Sequence, residues 1–425
     1  MALSLHSTRA TPRPAARRPA HTPQPMTGYD GLRRAHPSAL PVTGAWRPGD
    51  PAGHRRFLSF PAERPFALEG GGLLRGVTVA YETWGELDPD GGNAVLVCHA
   101  LTGDSHAVGP LATGHPSAGW WEGAIGPGRM LDTDRWFVVC VNVLGGCQGS
   151  TGPASPHPDD GKPWGSRFPV VTVRDMVRTQ VAVADRLGVS RWALVVGGSM
   201  GGMQALEWAV MHPERVGAVV PIATAAAASA AQIGWWSSGR RAIRDDPRFR
   251  DGDYYDAAPG EGPHRGMGLA RRIGHISYRT EAELDDRFGH GPQDREDPLA
   301  GGRYAVESYL DHQADQLVRR FDANSYLLLT KAMDLHDLGR GRGGMEAAFA
   351  RLRAPLLSVG ISSDILYPPH QSREIVSLAA AAGVLAEYAE LDSPHGHDAF
   401  LIEVDALTAV VRSFIDRLDR GELHG

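Results

Sequence analysis

Trp192-Ala193-Leu194-Val195-Val196-Gly197-Gly198-Ser199-Met200-Gly201 is the stretch on which the reading of this chain turns. Its first five residues are continuously apolar, as suits a strand covered on both faces. They run directly into Gly-x-Ser-x-Gly, and residues 203–211 beyond it read as a helix. A serine framed by glycines at a strand–turn–helix junction is the pattern of a nucleophile elbow. The glycines have a physical purpose, because a sharply turned serine needs neighbours small enough for strand and helix to pack closely. The start of the helix then offers unpaired N–H groups and a positive dipole end to a developing oxyanion. Without those flanking elements the same residues would be only a tight βα loop.

Outward from this point the chain alternates. Short runs rich in Val, Ala and aromatics fall at residues 56–60, 65–68, 77–85, 94–101, 136–146 and 218–225. Between them, Val173, Met176, Val177, Val181, Val183 and Ala184 recur near the helical period, with Thr172 and Asp175 spaced as an N-cap box. Strands alternating with helices imply a mostly parallel sheet with helices on both faces. Residues 231–345 break the pattern, carrying helix-like pieces and few strand signals. The β pattern returns at 355–362 and 385–393, separated by a helical segment at 370–382. Phe400, Val404, Leu407, Val411, Phe414 and Leu418 then predict one core-facing terminal helix. The division expected is an α/β core over 51–230 and 346–425, with 231–345 as a helical lid insertion. Residues 1–50, rich in Pro, Ala and Arg with no acidic residue before Asp30, read as a disordered tail.

Composition narrows the function classes. With 43 Lys+Arg against 49 Asp+Glu the net charge is −6, which lacks the footprint of a nucleic-acid binder. No run has the length and apolarity of a membrane span. Cys98, Cys140 and Cys147 are too few for a disulfide scaffold and suit a reducing cytoplasm.

A serine hydroxyl is a poor nucleophile alone, so a base and an orienting acid are expected later in the chain, in the order Ser, acid, His. Asp364, just past a late strand, and His397, before the last helix, fill those positions with Ser199. His395 is the rival base and Asp392 the rival acid, the latter reading better as a turn aspartate. For the oxyanion, the expected donors are the backbone N–H groups of Leu101, in the loop after residues 94–98, and of Met200. His99 reads as a hydrogen-bonded structural histidine and Cys147 as a packed loop cysteine. The His395-Gly396-His397-Asp398 corner lacks a second ligand cluster, so no metal site is expected.

These blocks resemble one family, the α/β-hydrolase-fold homoserine O-acetyltransferases of methionine biosynthesis. The likeness spans residues 56–418. It rests on Tyr81-Glu82-Thr83-Trp84-Gly85, on His99-Ala100-Leu101-Thr102-Gly103-Asp104 and on residues 142–153 around Gly145-Gly146-Cys147-Gln148-Gly149. Residues 198–204 and Gly396-His397-Asp398-Ala399-Phe400-Leu401 complete it. The resemblance implies ping-pong acyl transfer from acetyl-CoA, as co-substrate, to the hydroxyl of L-homoserine, with no bound cofactor. It also implies that Arg271 pairs with the substrate carboxylate, that Tyr278 lies seven residues on as a second contact, and that Asp398 takes the ammonium; Arg272 is the competing arginine. A homodimer through the helical insertion is implied as well. Related sequences succinylate homoserine, act on serine, or acetylate a deacetylated cephalosporin. Gln148 resembles the acetyl-specific members, whereas Ser150 stands where many have a second Thr. An esterase would use the same three groups with water as acceptor.

Overall fold

The apolar runs at residues 94–98, 137–141, 194–198, 219–222 and 356–361 become strands with every residue buried, because helices cover both sides of the sheet they form. The computed structural model describes residues 40–422. In chain order the strands are β1 (Arg56–Ser59), β2 (Phe66–Ala67), β3 (Leu73–Leu74), β4 (Thr78–Trp84), β5 (Ala94–Cys98), β6 (Phe137–Val141), β7 (Leu194–Gly198), β8 (Val219–Ile222), β9 (Leu356–Ile361) and β10 (Ala386–Leu391). β2 and β3 pair with each other, and the other eight form one sheet ordered β1-β4-β6-β5-β7-β8-β9-β10. β1 and β4 join antiparallel, and from β6 to β10 every neighbouring pair is parallel. The C-terminal ends of β5, β7, β9 and β10 therefore share one edge, where ligands bind in open α/β sheets.

Helix α1 (Val173–Leu187) begins at the expected box. The Thr172 side chain accepts from the Asp175 N–H, and the Asp175 carboxylate accepts from the Thr172 N–H. α2 (Met200–Met211) starts three residues earlier than residues 203–211, since Gly201 and Gly202, poor helix formers, are held helical by their packing against Cys98, His99 and Thr224. Leu96, Cys98 and Val195 pack with Met176, Met203 and Leu206 on one face of the sheet. On the other face Val95, Val97 and Val196 pack with Leu407, Val411 and Phe414. The two faces use alternate strand residues, as the period of two requires.

Between β8 and β9 the chain forms α3 (Ala230–Arg244), α4 (His264–Tyr278), α5 (Glu281–Phe288), α6 (Ala305–Arg320), α7 (Ala323–Asp334) and α8 (Met345–Phe349). α4 packs on α3, on α6 and on the short turn Gly396–Asp398, so the helical segment reaches the loop that carries His397. α9 (Pro369–Ala381) follows β9.

Two expectations need correction. The single terminal helix is instead two, α10 (Ala399–Ile402) and α11 (Val404–Asp419), broken at Glu403 with φ −86° and ψ 48°. The Glu403 carboxylate accepts from Ser393 Oγ, and the break lets Phe400 pack against the elbow while Leu407 and Val411 stay on the sheet. The other correction concerns the tail. Residues 1–39 lie outside the described residues, but residues 40–50 are ordered. Thr43 Oγ1 donates to Asp322 Oδ1 at 2.8 Å, and the Gly44 and Trp46 N–H groups donate to Phe321 O and Cys147 O. Those partners lie far along the chain, 279 residues away for Asp322, so local composition carries no trace of them.

Candidate active site

Ser199 stands between β7 and α2 with φ 57° and ψ −124°, a region that a non-glycine residue adopts only under strain of about 1–3 kcal/mol. Its backbone is pinned from several sides. The Ser199 N–H donates to Ile222 O at 2.9 Å, and Ser199 O accepts from Thr224 Oγ1 at 2.9 Å. A Cβ on Gly198 would sit 2.5 Å from the Phe400 ring, so the close approach excludes any larger residue there.

Asp364 follows β9 and His397 follows β10, on the same edge of the sheet as Ser199. Asp364 Oδ1 accepts the Leu366 and Tyr367 N–H groups at 2.8 and 2.9 Å, while Oδ2 meets His397 Nδ1 at 2.7 Å. A carboxylate there makes Nδ1 the donor and leaves Nε2 with its lone pair. The imidazole is stacked on Tyr367 at 5.1 Å and flanked edge-on by Phe400 at 5.8 Å. Burial disfavours the imidazolium, but the charge and hydrogen bond of Asp364 outweigh it and raise the His397 pKa. Ser199 Oγ makes no hydrogen bond among the described residues, and nucleophile–base bonds commonly tighten only when substrate arrives.

Ser199 and His397 line one cavity of about 150 Å³ with Leu101, Arg271, Tyr278 and Asp398. Met200 is the first residue of α2, and among the described residues neither its N–H nor that of Leu101 has a protein acceptor. Arg271 has no carboxylate at ion-pair distance among the described residues; its Nε is buried without an acceptor and its guanidinium lies over the Tyr278 ring, 5.6 Å from the centroid. Burial lifts the Tyr278 phenol to about 12. Arg272, one residue on and so about 100° around the helix, turns away to an ion pair with Asp311.

The α/β hydrolase fold model matches residues 93–404. A homoserine O-acetyltransferase from Thermobifida fusca (strain YX) is 57% identical over 376 residues, covering 88% of this chain and 97% of the relative. The chain belongs to the homoserine O-acetyltransferase family. Among solved structures, homoserine O-acetyltransferase from Bacillus anthracis superposes with a TM-score of 0.78 at 28% identity, covering 85% of this chain and 97% of that one. Esterase E22 superposes with a TM-score of 0.77 at 28% identity, covering 85% and 99%. The family's fold thus hosts an enzyme named for hydrolysis as well as the acyltransferases.

Within the family's Gly-Gly-Cys-Gln-Gly block, Cys147 is buried with its thiol pKa pushed up by desolvation, which keeps it unreactive. The Gln148 amide is fully used. Its Nε2 donates to Gly44 O and Arg320 O at 3.0 and 2.7 Å, and Oε1 accepts from Arg55. It supports the cavity wall from behind and is not among the residues lining the cavity. Of the rivals, His395 sits beside Glu283 and Glu403, and Asp392 is an exposed turn residue accepting from Ser362.

Three residues of the site escape the sequence reading. Arg279 pairs with Asp398 at 3.2 Å, so the aspartate already has one cationic partner. Arg320, the last residue of α6, lines the cavity and donates from Nη1 to Thr102 O at 2.7 Å. Trp236 forms an apolar wall. Nothing in their local sequence separates them from the many other Arg and Trp residues of residues 231–345.

Glu82, His106 and His115 also bring potential metal-ligand atoms within 4.8 Å of one another. His106 Nδ1 meets Glu82 at 3.0 Å and His115 Nε2 accepts the His54 N–H at 2.9 Å, while His115 Nδ1 is buried without a hydrogen-bond partner among the described residues. The two rings stack at 3.7 Å and 13°, so their in-plane lone pairs cannot converge on one tetrahedral ion. The cluster is a buried carboxylate with imidazole partners.

Proposed function

We propose that this protein transfers an acetyl group from acetyl-CoA to the hydroxyl of L-homoserine by a ping-pong route through acyl-Ser199. His397 Nε2 takes the Ser199 proton as Oγ attacks the thioester carbonyl. The oxyanion is stabilised by the Leu101 and Met200 N–H groups, and coenzyme A leaves as a thiol with the proton returned by His397. The homoserine hydroxyl then gives its proton to Nε2 and attacks the acyl-serine carbonyl, and Ser199 regains its proton as the ester departs. Asp364 orients the imidazole throughout. Arg271 binds the substrate carboxylate in the bidentate manner of a guanidinium, with Tyr278 beside it, and Asp398 binds the ammonium.

The observation that carries a transferase over a hydrolase is the Arg271 guanidinium, which has no ionic partner among the described residues and lines the same small cavity as Ser199 and Asp398. A zwitterionic acceptor complements that pair; water has no use for it. The test is to supply L-homoserine with acetyl-CoA or with succinyl-CoA and weigh the products. O-acetylhomoserine from acetyl-CoA is expected, with parallel double-reciprocal plots. O-succinylhomoserine would reassign the donor, free acetate alone would make the protein an esterase, and intersecting lines would remove the covalent intermediate. Acetyl-CoA acts as co-substrate, with no resident cofactor or metal in the reading.

A cytoplasmic location is supported by three buried, unpaired cysteines. No helix among the described residues is long and apolar enough to cross a membrane. A homodimer is supported by Leu269 and Ile276, exposed seven residues apart on α4; light scattering at the monomer mass would refute it.

A further inference from the structure

His99 is buried beside the site, takes no proton in the mechanism above, and has a fully determined hydrogen-bond pattern. Its Nε2 lies 3.1 Å from the Val143 N–H, which can only donate, so Nε2 carries no proton. Its Nδ1 lies 2.8 Å from Ala100 O, which can only accept, so Nδ1 carries the proton. The ring is therefore neutral and in one tautomer, in keeping with a pKa lowered by burial against the weaker pull of Ala100 O and Asp104. Ala100 O also accepts from the Gly103 N–H at 2.9 Å. The next carbonyl back is held as well, since Gln204 Nε2 donates to His99 O at 3.1 Å. Gln204 is itself fixed through Gln180 to Trp208. On the other side Arg320 draws on Thr102 O.

In a trans peptide the C=O and the following N–H point in opposite directions, and no peptide among the described residues is cis. Fixing the Ala100 carbonyl therefore fixes the direction of the Leu101 N–H. We propose that His99 is a positioning residue of the acyl-transfer reaction: its Nδ1–H grips the Ala100 carbonyl so that the Leu101 N–H stays aimed at the oxyanion. This rests on the acyl-Ser199 reading. It explains why a neutral histidine occupies the position. A protonated ring would repel the Val143 N–H, and an Nε2–H tautomer would face it proton to proton while leaving Nδ1 lone pair against lone pair with Ala100 O.

Two substitutions separate this role from mere packing. In His99→Asn the amide nitrogen stands near the place of Nδ1 and keeps the bond to Ala100 O while losing that to Val143. In His99→Gln the amide oxygen reaches the place of Nε2 and keeps the Val143 bond while losing the grip on Ala100 O. Each variant keeps one of two hydrogen bonds. The expected kcat for His99→Gln is about 100-fold lower, the usual cost of one oxyanion donor, with the homoserine KM within about threefold. His99→Asn is expected to stay within about fivefold of the unsubstituted kcat. Equal losses in the two variants, or losses that follow their melting temperatures, overturn the proposal.

Should neither variant fold, the unsubstituted protein phosphonylated at Ser199 provides the answer by crystallography. The phosphonyl oxygen is expected on the Leu101 and Met200 N–H groups, with Ala100 O still on His99 Nδ1. A flipped 100–101 peptide, with the carbonyl turned to the oxygen, overturns the inference. Failure of the phosphonate to label Ser199 would instead overturn the acyl-serine reading beneath it.

Discussion

Asp364→Asn isolates the electrostatic part of the proposed chemistry while leaving its shape intact. Asp364 Oδ1 accepts two backbone N–H groups, which only an oxygen can do, so in the variant the amide oxygen is held there. The NH₂ group must then face His397 Nδ1, where the carboxylate oxygen lay at 2.7 Å. The imidazole responds by moving its proton to Nε2, the atom that must be free to act as base. Restoring the productive tautomer forfeits the hydrogen bond from that amide to Nδ1, about 1.5 kcal/mol at the high end. The imidazolium formed in the transition state also loses a counter-charge worth about 4 kcal/mol for charges about 4 Å apart near a protein surface. Together these approach 5.5 kcal/mol, or roughly 10⁴-fold in rate. The assay is steady-state acyl transfer at saturating homoserine and acetyl-CoA, with circular dichroism to verify the fold. A kcat within tenfold of the unsubstituted enzyme would refute the assignment of Asp364 and, with it, the tautomer argument.

Arg271→Ala removes the guanidinium from the cavity and is expected to raise the homoserine KM roughly 10- to 100-fold, the worth of one charge-assisted contact, while the acetyl-CoA KM stays put; an unchanged homoserine KM would end the carboxylate role. Because the folded His397 pKa is raised, the imidazole is neutral, and able to act as base, only above a value higher than 6.5. The acid limb of kcat/KM should therefore lie above pH 6.5, and in Asp364→Asn, where only the weaker pull of Asp398 opposes burial, below it; a limb below 6.5 in the unsubstituted enzyme contradicts this. The same raised pKa stabilises the fold at pH below 6.5, a contribution lost as pH rises through the folded value. Leu407→Ala, fully buried on the face of the sheet covered by α11, should cost about 2–5 kcal/mol in urea unfolding without changing kcat; a loss under 1 kcal/mol would mean α11 is not packed as described.

Much of the site was legible because its signals are local. The elbow is five consecutive residues, and the order Ser199, Asp364, His397 follows from where each sits relative to a strand. The N-cap box of α1 could be read from Thr172 and Asp175 because a helix start is satisfied within one turn. The choice between Arg271 and Arg272 was different. Adjacent helical residues point about 100° apart, so only the rotation of α4 against the core decides which guanidinium meets the cavity. The Arg279–Asp398 pair and the Arg320 contact with Thr102 join segments 119 and 218 residues apart.

The amino-acid sequence by itself determined the alternation of strands and helices, the elbow and the three groups proposed for the chemistry, since backbone periodicity and turn preference act over a few residues. Tertiary structure decided the ordered strap at residues 40–50, the break at Glu403, the early start of α2 and the single tautomer of His99. Each of these depends on a partner brought near only when the chain has folded, and a hydrogen bond or a packed ring can overrule local preference once water has been excluded from it.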